Sequence, residues 1–194
     1  MALDKKYKII YAAPPWEYSD VMTWKIMAGG VSHHYKTMDI EAIKALPIAN
    51  IADDDCILFL WATFPNLQWG LDVIKAWGFK YKTLGFSWIK LNKKDGKPWF
   101  GIGHYTKSNC EVCLIGVKGK SLKASDKVSS VVMTPREGHS KKPDIIRDKI
   151  VELCGDLPRI ELFARDRGDK DLFGGNRMDG WDTWGNEVKN SISI

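Results

Sequence analysis

The sequence has no apolar run long enough to cross a bilayer, and its amino terminus lacks the apolar stretch of a signal peptide. The longest apolar run, from Cys56 to Ala62, falls well short of the ~18 residues that a membrane-spanning helix needs. The first six residues, MALDKK, end in three charged side chains. We therefore expect a cytoplasmic protein with reduced thiols and no membrane partner.

Cysteine is scarce as well, with four residues in 194. Cys110 and Cys113 have the Cys-x-x-Cys spacing that occurs at zinc sites. The segment around them is typical of a strand, however, and residues three apart on a strand point to opposite faces. Cys56 and Cys154 are isolated in the sequence. We therefore predict that the protein holds no metal.

A strong charge of either sign is also missing, because the net charge is only +5 and the pI is near 8.9. This balance permits a nucleic-acid partner without requiring one. The length suffices for one sizeable core, and we expect residues 1–194 to form a single domain. Nine tryptophans are a high number for this length. Since a buried indole N–H needs a partner, we expect most of them in the core and some in clefts.

Strand-like and helix-like segments alternate along the chain. We predict strands at Tyr7–Ala12, Cys56–Trp61, Tyr81–Lys90, Cys110–Lys118, Val128–Met133 and Arg159–Phe163. Helices are predicted from the cap Asp39 to Leu46, from Pro65 to Trp77 and from Pro143 to Gly155. This alternation predicts an α/β fold with a mostly parallel sheet and helices on both faces. Ligands of such sheets bind beyond the carboxyl ends of the strands, an edge that includes residues 13–18 and the segments after Trp61 and Phe163.

The most informative segment is Tyr11-Ala12-Ala13-Pro14-Pro15-Trp16, which follows the first predicted strand. Each proline fixes its own φ, lacks an amide hydrogen and pushes the preceding residue toward extended geometry. The carbonyl of Ala13 or Pro14 can therefore be held at a fixed angle, with the flat face of Trp16 beside it. A rigid acceptor next to a stacking surface suits a planar ligand with an amino group, such as a nucleobase. The alternative is a strand followed by a proline-terminated loop without a function.

Six ordered motifs resemble the MT-A family of S-adenosylmethionine-dependent adenine-N6 methyltransferases. This is the family of the catalytic subunit of eukaryotic mRNA adenosine N6-methyltransferase, with bacterial and phage DNA relatives. Tyr-Ala-Ala-Pro-Pro-Trp resembles its Asp-Pro-Pro-Trp signature. The other matching segments, which extend the resemblance over residues 7 to 188, are Tyr35–Met38, Leu58–Trp61, Glu111–Gly119, His139–Pro143 and the closing stretches Ile160–Arg165, Gly180–Trp181 and Trp184–Glu187. The resemblance implies a Rossmann-like methyltransferase fold in permuted order, with the catalytic motif first and the cofactor strand last.

The resemblance also assigns roles to individual positions. It implies catalysis at Ala13, Pro14, Pro15 and Trp16, where acceptors on the amine hydrogens pull electron density back to nitrogen while the new bond forms. The positions implied for cofactor binding are Ala12, Ala13, Tyr35, Ser140, Lys142, Phe163, Arg165, Gly185, Asn186 and Glu187. The positions predicted for the flipped base or its strand are Trp16, Tyr18, Tyr35, Trp61, His104 and Glu111, of which His104 and Glu111 are candidates from their own sequence context, not from the resemblance.

Charged residues in these motifs have two interpretations each. Lys142, at a helix start, holds the methionine carboxylate by resemblance, or it is a solvated loop lysine. Arg165, Asn186 and Glu187 bind the ribose hydroxyls and adenine of the cofactor, or they belong to a charged tail. Glu111 is a charge within an apolar strand, and it is either a buried carboxylate with a partner or a substrate contact.

A glycine-rich loop lies between the third and fourth predicted strands, around Gly101 and Gly103. His104 and Tyr105 in this loop suit contacts to a single strand of nucleic acid. A loop without a partner is the alternative.

The chain departs from the family at position 13, where alanine stands in place of aspartate. Losing one acceptor at the developing charge costs on the order of 10² to 10³ in rate, by analogy with oxyanion-hole deletions. Either the substitution was made to inactivate the enzyme, or this is a naturally inactive relative. We therefore expect adenine-N6 methylation, of DNA more than RNA, impaired at Ala13. A nucleic-acid-binding or scaffold module and methylation of a cytosine amine are the alternatives.

The modest positive charge leaves the partners open. Affinity for nucleic acid comes mainly from phosphate contacts, and a chain with a net charge of +5 offers few of them. A homodimer or a second subunit can therefore raise the affinity.

Overall fold

A computed structural model describes residues 5–17, 37–101, 103, 105–137, 141–165 and 180–194. Four of the predicted site residues, Tyr18, Tyr35, His104 and Ser140, lie outside the described residues.

Seven strands of the described residues form one sheet. They are β1 (Tyr7–Ala12), β2 (Ala52–Ala62), β3 (Lys80–Leu91), β4 (Cys110–Lys118), β5 (Val131–Pro135), β6 (Arg159–Leu162) and β7 (Trp181–Trp184). Their order across the sheet is β5-β3-β4-β2-β1-β6-β7. β4 is antiparallel to both of its neighbours, and every other neighbouring pair is parallel. The prediction of a mostly parallel sheet is confirmed.

Helices cover both faces of this sheet. They are α1 (Ile40–Lys44), α2 (Leu67–Ala76) and α3 (Ile145–Cys154), with short 3-10 turns at Ile48–Asn50 and Phe64–Asn66. Apolar side chains of α1 and α2 share one buried layer with alternate residues of β1, β2 and β4. Those of α3 share a second layer with the residues that point the other way. The alternation of side chains along each strand thus separates two cores, as the α/β pattern predicts.

The predicted α1 begins where expected, because the carboxylate of Asp39 accepts hydrogen bonds from the amides of Glu41 and Ala42. None of the helices in the described part of the chain is long and apolar enough to span a membrane. Within the same residues, no group of three or more His, Cys, Asp or Glu side chains could hold a metal ion.

Several predicted boundaries were wrong. α1 ends at Lys44, before Leu46, and the helix predicted from Pro65 starts as a 3-10 turn. β2 begins at Ala52 and β5 at Val131, because pairing with β1 and β3 sets their limits. The strand predicted to reach Phe163 ends at Leu162, where Phe163 turns to a φ of 58°, a left-handed conformation that is uncommon outside glycine.

The largest error was to treat Arg159–Phe163 as the last strand. β7 follows it and pairs in parallel with β6, with Arg159 opposite Trp181 and Leu162 opposite Trp184. β7 has only four residues, Trp-Asp-Thr-Trp, so its strand character comes from pairing rather than from local composition.

Candidate active site

One edge of the sheet collects the predicted site segments. Because β4 is reversed, its amino end lies at the edge where the other six strands end. The segment after β1, the start of β4 and the segments after β6 and β7 therefore share this edge. The predicted convergence of residues after β1, β2 and β6 at the carboxyl edge is confirmed, and the topology adds Glu111 and the residues after β7.

The Pro-Pro segment forms a tight turn directly after β1. The amide of Trp16 donates to the carbonyl of Pro14 at 2.9 Å, and the amide of Met38 donates to the carbonyl of Pro15 at 2.9 Å. Both carbonyls are thereby fixed in direction, and each keeps one further lone pair. Ala12 is buried in the layer of α1 and α2, whereas the methyl group of Ala13 packs against the layer of α3.

Two buried tryptophans connect this turn to β2 and β1 through hydrogen bonds. Trp16 is buried, and its Nε1 donates to the carbonyl of Trp61 at 3.1 Å. Trp61 is only 1% exposed, and its Nε1 donates to the hydroxyl of Tyr11 at 2.8 Å. Trp61 is thus part of the buried core, and almost none of its side chain is accessible for the substrate contact that was predicted for it. Trp16 itself is 6% exposed, so only a small part of its ring is accessible.

A buried ion triad stands at the start of β4. Glu111 is 7% exposed, and its Oε1 lies 2.6 Å from Nζ of Lys90 while its Oε2 contacts Nζ of Lys142. Nζ of Lys142 also lies 5.5 Å from the ring centroid of Trp61. Glu111 was predicted to be either a buried carboxylate with a partner or a substrate contact. In the structure it is a buried carboxylate with two lysine partners. The predicted Lys142 contributes to the same cluster, while Lys90 was missed.

The two lysines keep Glu111 ionised and give the triad a net positive charge. Burial alone would raise the pKa of Glu111, but the nearby charges and hydrogen bonds of Lys142 and Lys90 outweigh it and lower the pKa to about 2. Glu111 is therefore ionised at neutral pH, and two ammonium groups facing one carboxylate leave a net charge of +1. Each ammonium has three donors, so Lys142 retains capacity for a second anionic ligand.

A second charged pair lies across β1 from the triad, at the ends of β6 and β7. Nε of Arg165 is 3.5 Å from Oε2 of Glu187, and the Glu187 side chain is 49% exposed. Asn186 is exposed beside it. The predicted residues Arg165, Asn186 and Glu187 thus lie together, which depends on the parallel bridge between Arg165 and Glu187.

Gly185 makes this close approach possible. A Cβ at this position would lie 2.5 Å from the carbonyl oxygen of Ala164, so any side chain would push the two segments apart. The amide of Gly185 donates to Oδ1 of Asn190 at 2.8 Å, a contact that the sequence did not indicate. Phe163 packs edge to face on Trp184, with centroids 5.5 Å apart.

A cavity of about 760 Å³ opens beside Lys142, between the ends of β3 and β5 and the start of α3. Trp88 forms part of its wall and is fixed by a 2.9 Å hydrogen bond from its Nε1 to the hydroxyl of Thr134. Lys93, Lys141 and Glu137 also line it. Its volume is in the range of small-molecule sites.

Comparison with known proteins gives one family over most of the chain. A family model described as MT-A70 matches residues 7–187. Type II methyltransferase M.MunI of Mycoplasma sp is 33% identical, over 98% of this chain and 82% of that protein. The human N(6)-adenosine-methyltransferase catalytic subunit METTL3 is 27% identical, over 94% of this chain and 28% of its own length. An N(6)-adenosine-methyltransferase MT-A70-like protein of Drosophila melanogaster is 28% identical, over 94% of this chain and 27% of that protein.

Proposed function

The chain belongs to the MT-A70 family, and on that premise we propose that it methylates the exocyclic N6 amine of adenine in nucleic acid, using S-adenosylmethionine. DNA is favoured over RNA, since the similarity to a type II methyltransferase extends over most of that protein, whereas the eukaryotic N(6)-adenosine-methyltransferase relatives are matched over about a quarter of theirs. We treat residues 1–194 as one methyltransferase domain, because the seven strands of the described residues belong to one sheet.

The observation that carries the proposal is the position of the Pro14-Pro15 turn between two groups of charged side chains. β1 lies between β2 and β6, so the turn has the Lys90–Glu111–Lys142 triad on one side and the Arg165–Glu187 pair on the other. A fixed backbone acceptor flanked by cationic and anionic groups suits an amine and a charged nucleoside-like ligand together.

The polar and charged groups at this edge suit S-adenosylmethionine. The exposed carboxylate of Glu187 can accept hydrogen bonds from ribose hydroxyls, and Arg165 and Asn186 stand beside it. The positively charged triad at Lys142 offers an ammonium group to a carboxylate. When bound, S-adenosylmethionine supplies a methyl group made electrophilic by a positively charged sulfur.

The chain's own contribution to the reaction is acceptance of hydrogen bonds from the amine. That amine is a weak nucleophile because its lone pair is delocalised into the ring, and it becomes positively charged as the nitrogen–carbon bond forms. The free lone pair of the Pro14 carbonyl, held in place by the Trp16 amide, stabilises this charge more in the transition state than in the ground state. Ala13 offers no second acceptor, so the rate is expected to be on the order of 10² to 10³ lower than with a carboxylate there.

Position 13 also supports a second candidate function. The Ala13 methyl packs against a buried apolar layer and leaves this turn without an acidic side chain at that position. A module that binds nucleic acid, or serves as a scaffold, without transferring a methyl group would keep the same fold.

Methyl transfer from labelled S-adenosylmethionine to pools of DNA and RNA separates these functions. The chain with Ala13 is compared with Ala13→Asp and with Ala13→Asn, which matches the aspartate in size but not in charge. Activity that appears with Ala13→Asp and stays low with Ala13→Asn supports the proposal, and nucleoside analysis of the product identifies the methylated base. Label on cytosine would overturn the adenine assignment. Inactivity of every variant, with cofactor and nucleic acid still bound, would favour the binding module.

A further inference from the structure

We propose that the connection between β3 and β4, together with Arg136, holds a single-stranded or unstacked stretch of nucleic acid next to the target base. This inference rests on the proposed function and extends it to how the substrate strand is gripped. The strand-binding surface is defined by Lys93, Lys94, Lys97, Phe100, Tyr105 and Arg136.

Its position follows from the topology. β3 ends at Leu91 and β4 begins at Cys110. This connection therefore starts and finishes at the edge of the sheet that carries the candidate active site. The residues at its two roots, Lys90 and Glu111, belong to the ion triad. Lys93 lines the 760 Å³ cavity together with Lys142. A strand lying on the surface would therefore continue directly into the candidate active site.

The charge of the surface is unbalanced. Lys93, Lys94 and Lys97 are exposed, and none of them forms an ion pair with another described residue. Asp95, the carboxylate in the same turn, accepts the backbone amide of Lys97 at 3.1 Å. By contrast, Lys44, Lys90, Lys141 and Lys142 each pair with a carboxylate. Uncompensated ammonium groups are the groups that neutralise phosphates.

The surface also exposes aromatic rings. Tyr105 is fully exposed and Phe100 is 67% exposed. The guanidinium carbon of Arg136 lies 3.6 Å from the ring centroid of Trp99, while Arg136 itself remains exposed. A guanidinium stacked in this way is held flat, and it can stack on a base or bind a phosphate. Aromatic rings next to a basic groove are the combination that binds single strands, since every base has a face to stack.

The described part of the connection from Asn92 to Gly101 is held by its own backbone contacts. The amide of Asn92 donates to the carbonyl of Lys97 at 2.8 Å, and the amide of Trp99 donates to that of Lys90 at 2.7 Å. A Cβ on Gly101 would lie 2.4 Å from the carbonyl oxygen of Ser108, so the returning chain packs tightly against it. The three lysines of this segment are therefore presented from a fixed backbone, which lowers the entropic cost of binding.

The test is fluorescence anisotropy with labelled single-stranded DNA, the matching RNA and the matching duplex, between about 50 and 200 mM salt. The variant Lys93→Gln/Lys94→Gln/Lys97→Gln is compared with the control Lys75→Gln/Lys80→Gln/Lys82→Gln. The control removes the same charge from exposed lysines near the opposite edge of the sheet. Thermal unfolding checks that each variant is folded.

We expect the first triple variant to reduce the slope of log affinity against log salt by about 2 for the single strand, since each phosphate contact contributes ~0.7. The control triple is expected to leave the slope unchanged. Tyr105→Ala is expected to weaken single-strand binding by about 10-fold at unchanged slope, because it removes stacking and no charge. DNA and RNA probes distinguish the two possible strands.

Equal effects of the two triples would show non-specific charge attraction and overturn the inference. An unchanged slope in the first triple would overturn it as well, because it would show that these lysines contact no phosphate. Methyl transfer by an Ala13→Asp protein that carries the same triple keeps the two proposals apart. Full activity with an unchanged KM would show that the strand-binding surface does not bind the substrate strand, while the proposed function would still hold.

Discussion

The guanidinium of Arg147 places two nitrogens on one oxygen of Glu161, with Nε at 2.7 Å and Nη2 at 2.6 Å from Oε2. Both residues are buried, and Nη1 of Arg147 contacts Oδ1 of Asp144 at 2.9 Å. Arg147 is on α3, and Glu161 is on β6 opposite Tyr11 of β1. This ion pair ties the helix that follows Lys142 to the strand that precedes Phe163, so it aligns the two halves of the candidate site.

Breaking this ion pair is expected to destabilise the protein strongly. Glu161→Gln removes the fully buried carboxylate and leaves the guanidinium of Arg147 with Asp144 as its charged partner on the helix. The buried charge is then only partly compensated, and we expect a loss of up to about 3 to 5 kcal/mol in the free energy of unfolding, measured with urea. Asp156→Asn is the control, because the Asp156–Arg159 pair is exposed on the carboxylate side and is worth less than ~1 kcal/mol. A loss below ~1 kcal/mol for Glu161→Gln would contradict the expectation.

The Glu111 triad is expected to make stability depend on pH in the acid range. The pKa of Glu111 is about 2 in the folded protein and ~4.3 in an unfolded chain. The ionised group therefore stabilises the fold fully above the unfolded pKa, and this contribution, on the order of 3 kcal/mol, is lost as pH falls toward 2. The stability difference between native protein and Glu111→Gln should shrink over that range. Glu41→Gln removes an exposed carboxylate paired with Lys44, and the stability difference between this variant and the unsubstituted protein should not change in the same way with pH.

Cys110 is expected to be the cysteine that reacts with thiol reagents in the folded protein. Cys56, Cys113 and Cys154 are buried, whereas Cys110 is partly exposed. Burial raises the pKa of Cys56 to about 12 and that of Cys154 to about 11, and it holds the pKa of Cys113 well above the usual range. Iodoacetamide should modify Cys110 in the native protein and every cysteine after unfolding, as read by mass spectrometry. Native labelling that persists in Cys110→Ser would contradict this pattern.

Gly185→Ala is expected to separate the segments after β6 and β7. The added Cβ meets the carbonyl oxygen of Ala164 at 2.5 Å and its amide nitrogen at 2.9 Å, so the backbone has to move. We expect a loss of about 1 to 3 kcal/mol in stability, together with weaker S-adenosylmethionine binding by calorimetry. Gly96→Ala has a strained φ of 67° but open space around the new Cβ. It should lower stability without affecting cofactor binding, and equal binding losses in both would argue against the proposed cofactor position.

Local patterns sufficed for the elements that carry their own signal. β4 was predicted over its full range because most residues of Cys110–Lys118 are apolar. The Pro-Pro turn and the cap at Asp39 were found from single residues with strong backbone preferences. Such features depend on a few neighbouring residues, which a sequence displays directly.

The remaining features depend on contacts between distant residues. β7 becomes a strand only by pairing with β6, and the reversed direction of β4 is set by its partners in the sheet. Lys90 is an ordinary lysine in sequence, and it matters because the fold places it 2.6 Å from a buried carboxylate. Trp61 carries a base-stacking type of side chain, but its neighbours in the sheet bury it. Side-chain partners of this kind are decided by the sheet order, which one sequence does not reveal.

The single reversed strand has a consequence for how this protein can vary. Because β4 runs backward, the segment between β3 and β4 leaves and returns at one edge, and residues can be inserted there without shifting the register of any strand. Lengthening such a loop costs little free energy, since closure entropy grows only with the logarithm of its length. The proposed strand-binding surface can therefore change in length and composition independently of the Pro14-Pro15 turn, which lies after a different strand of the same sheet.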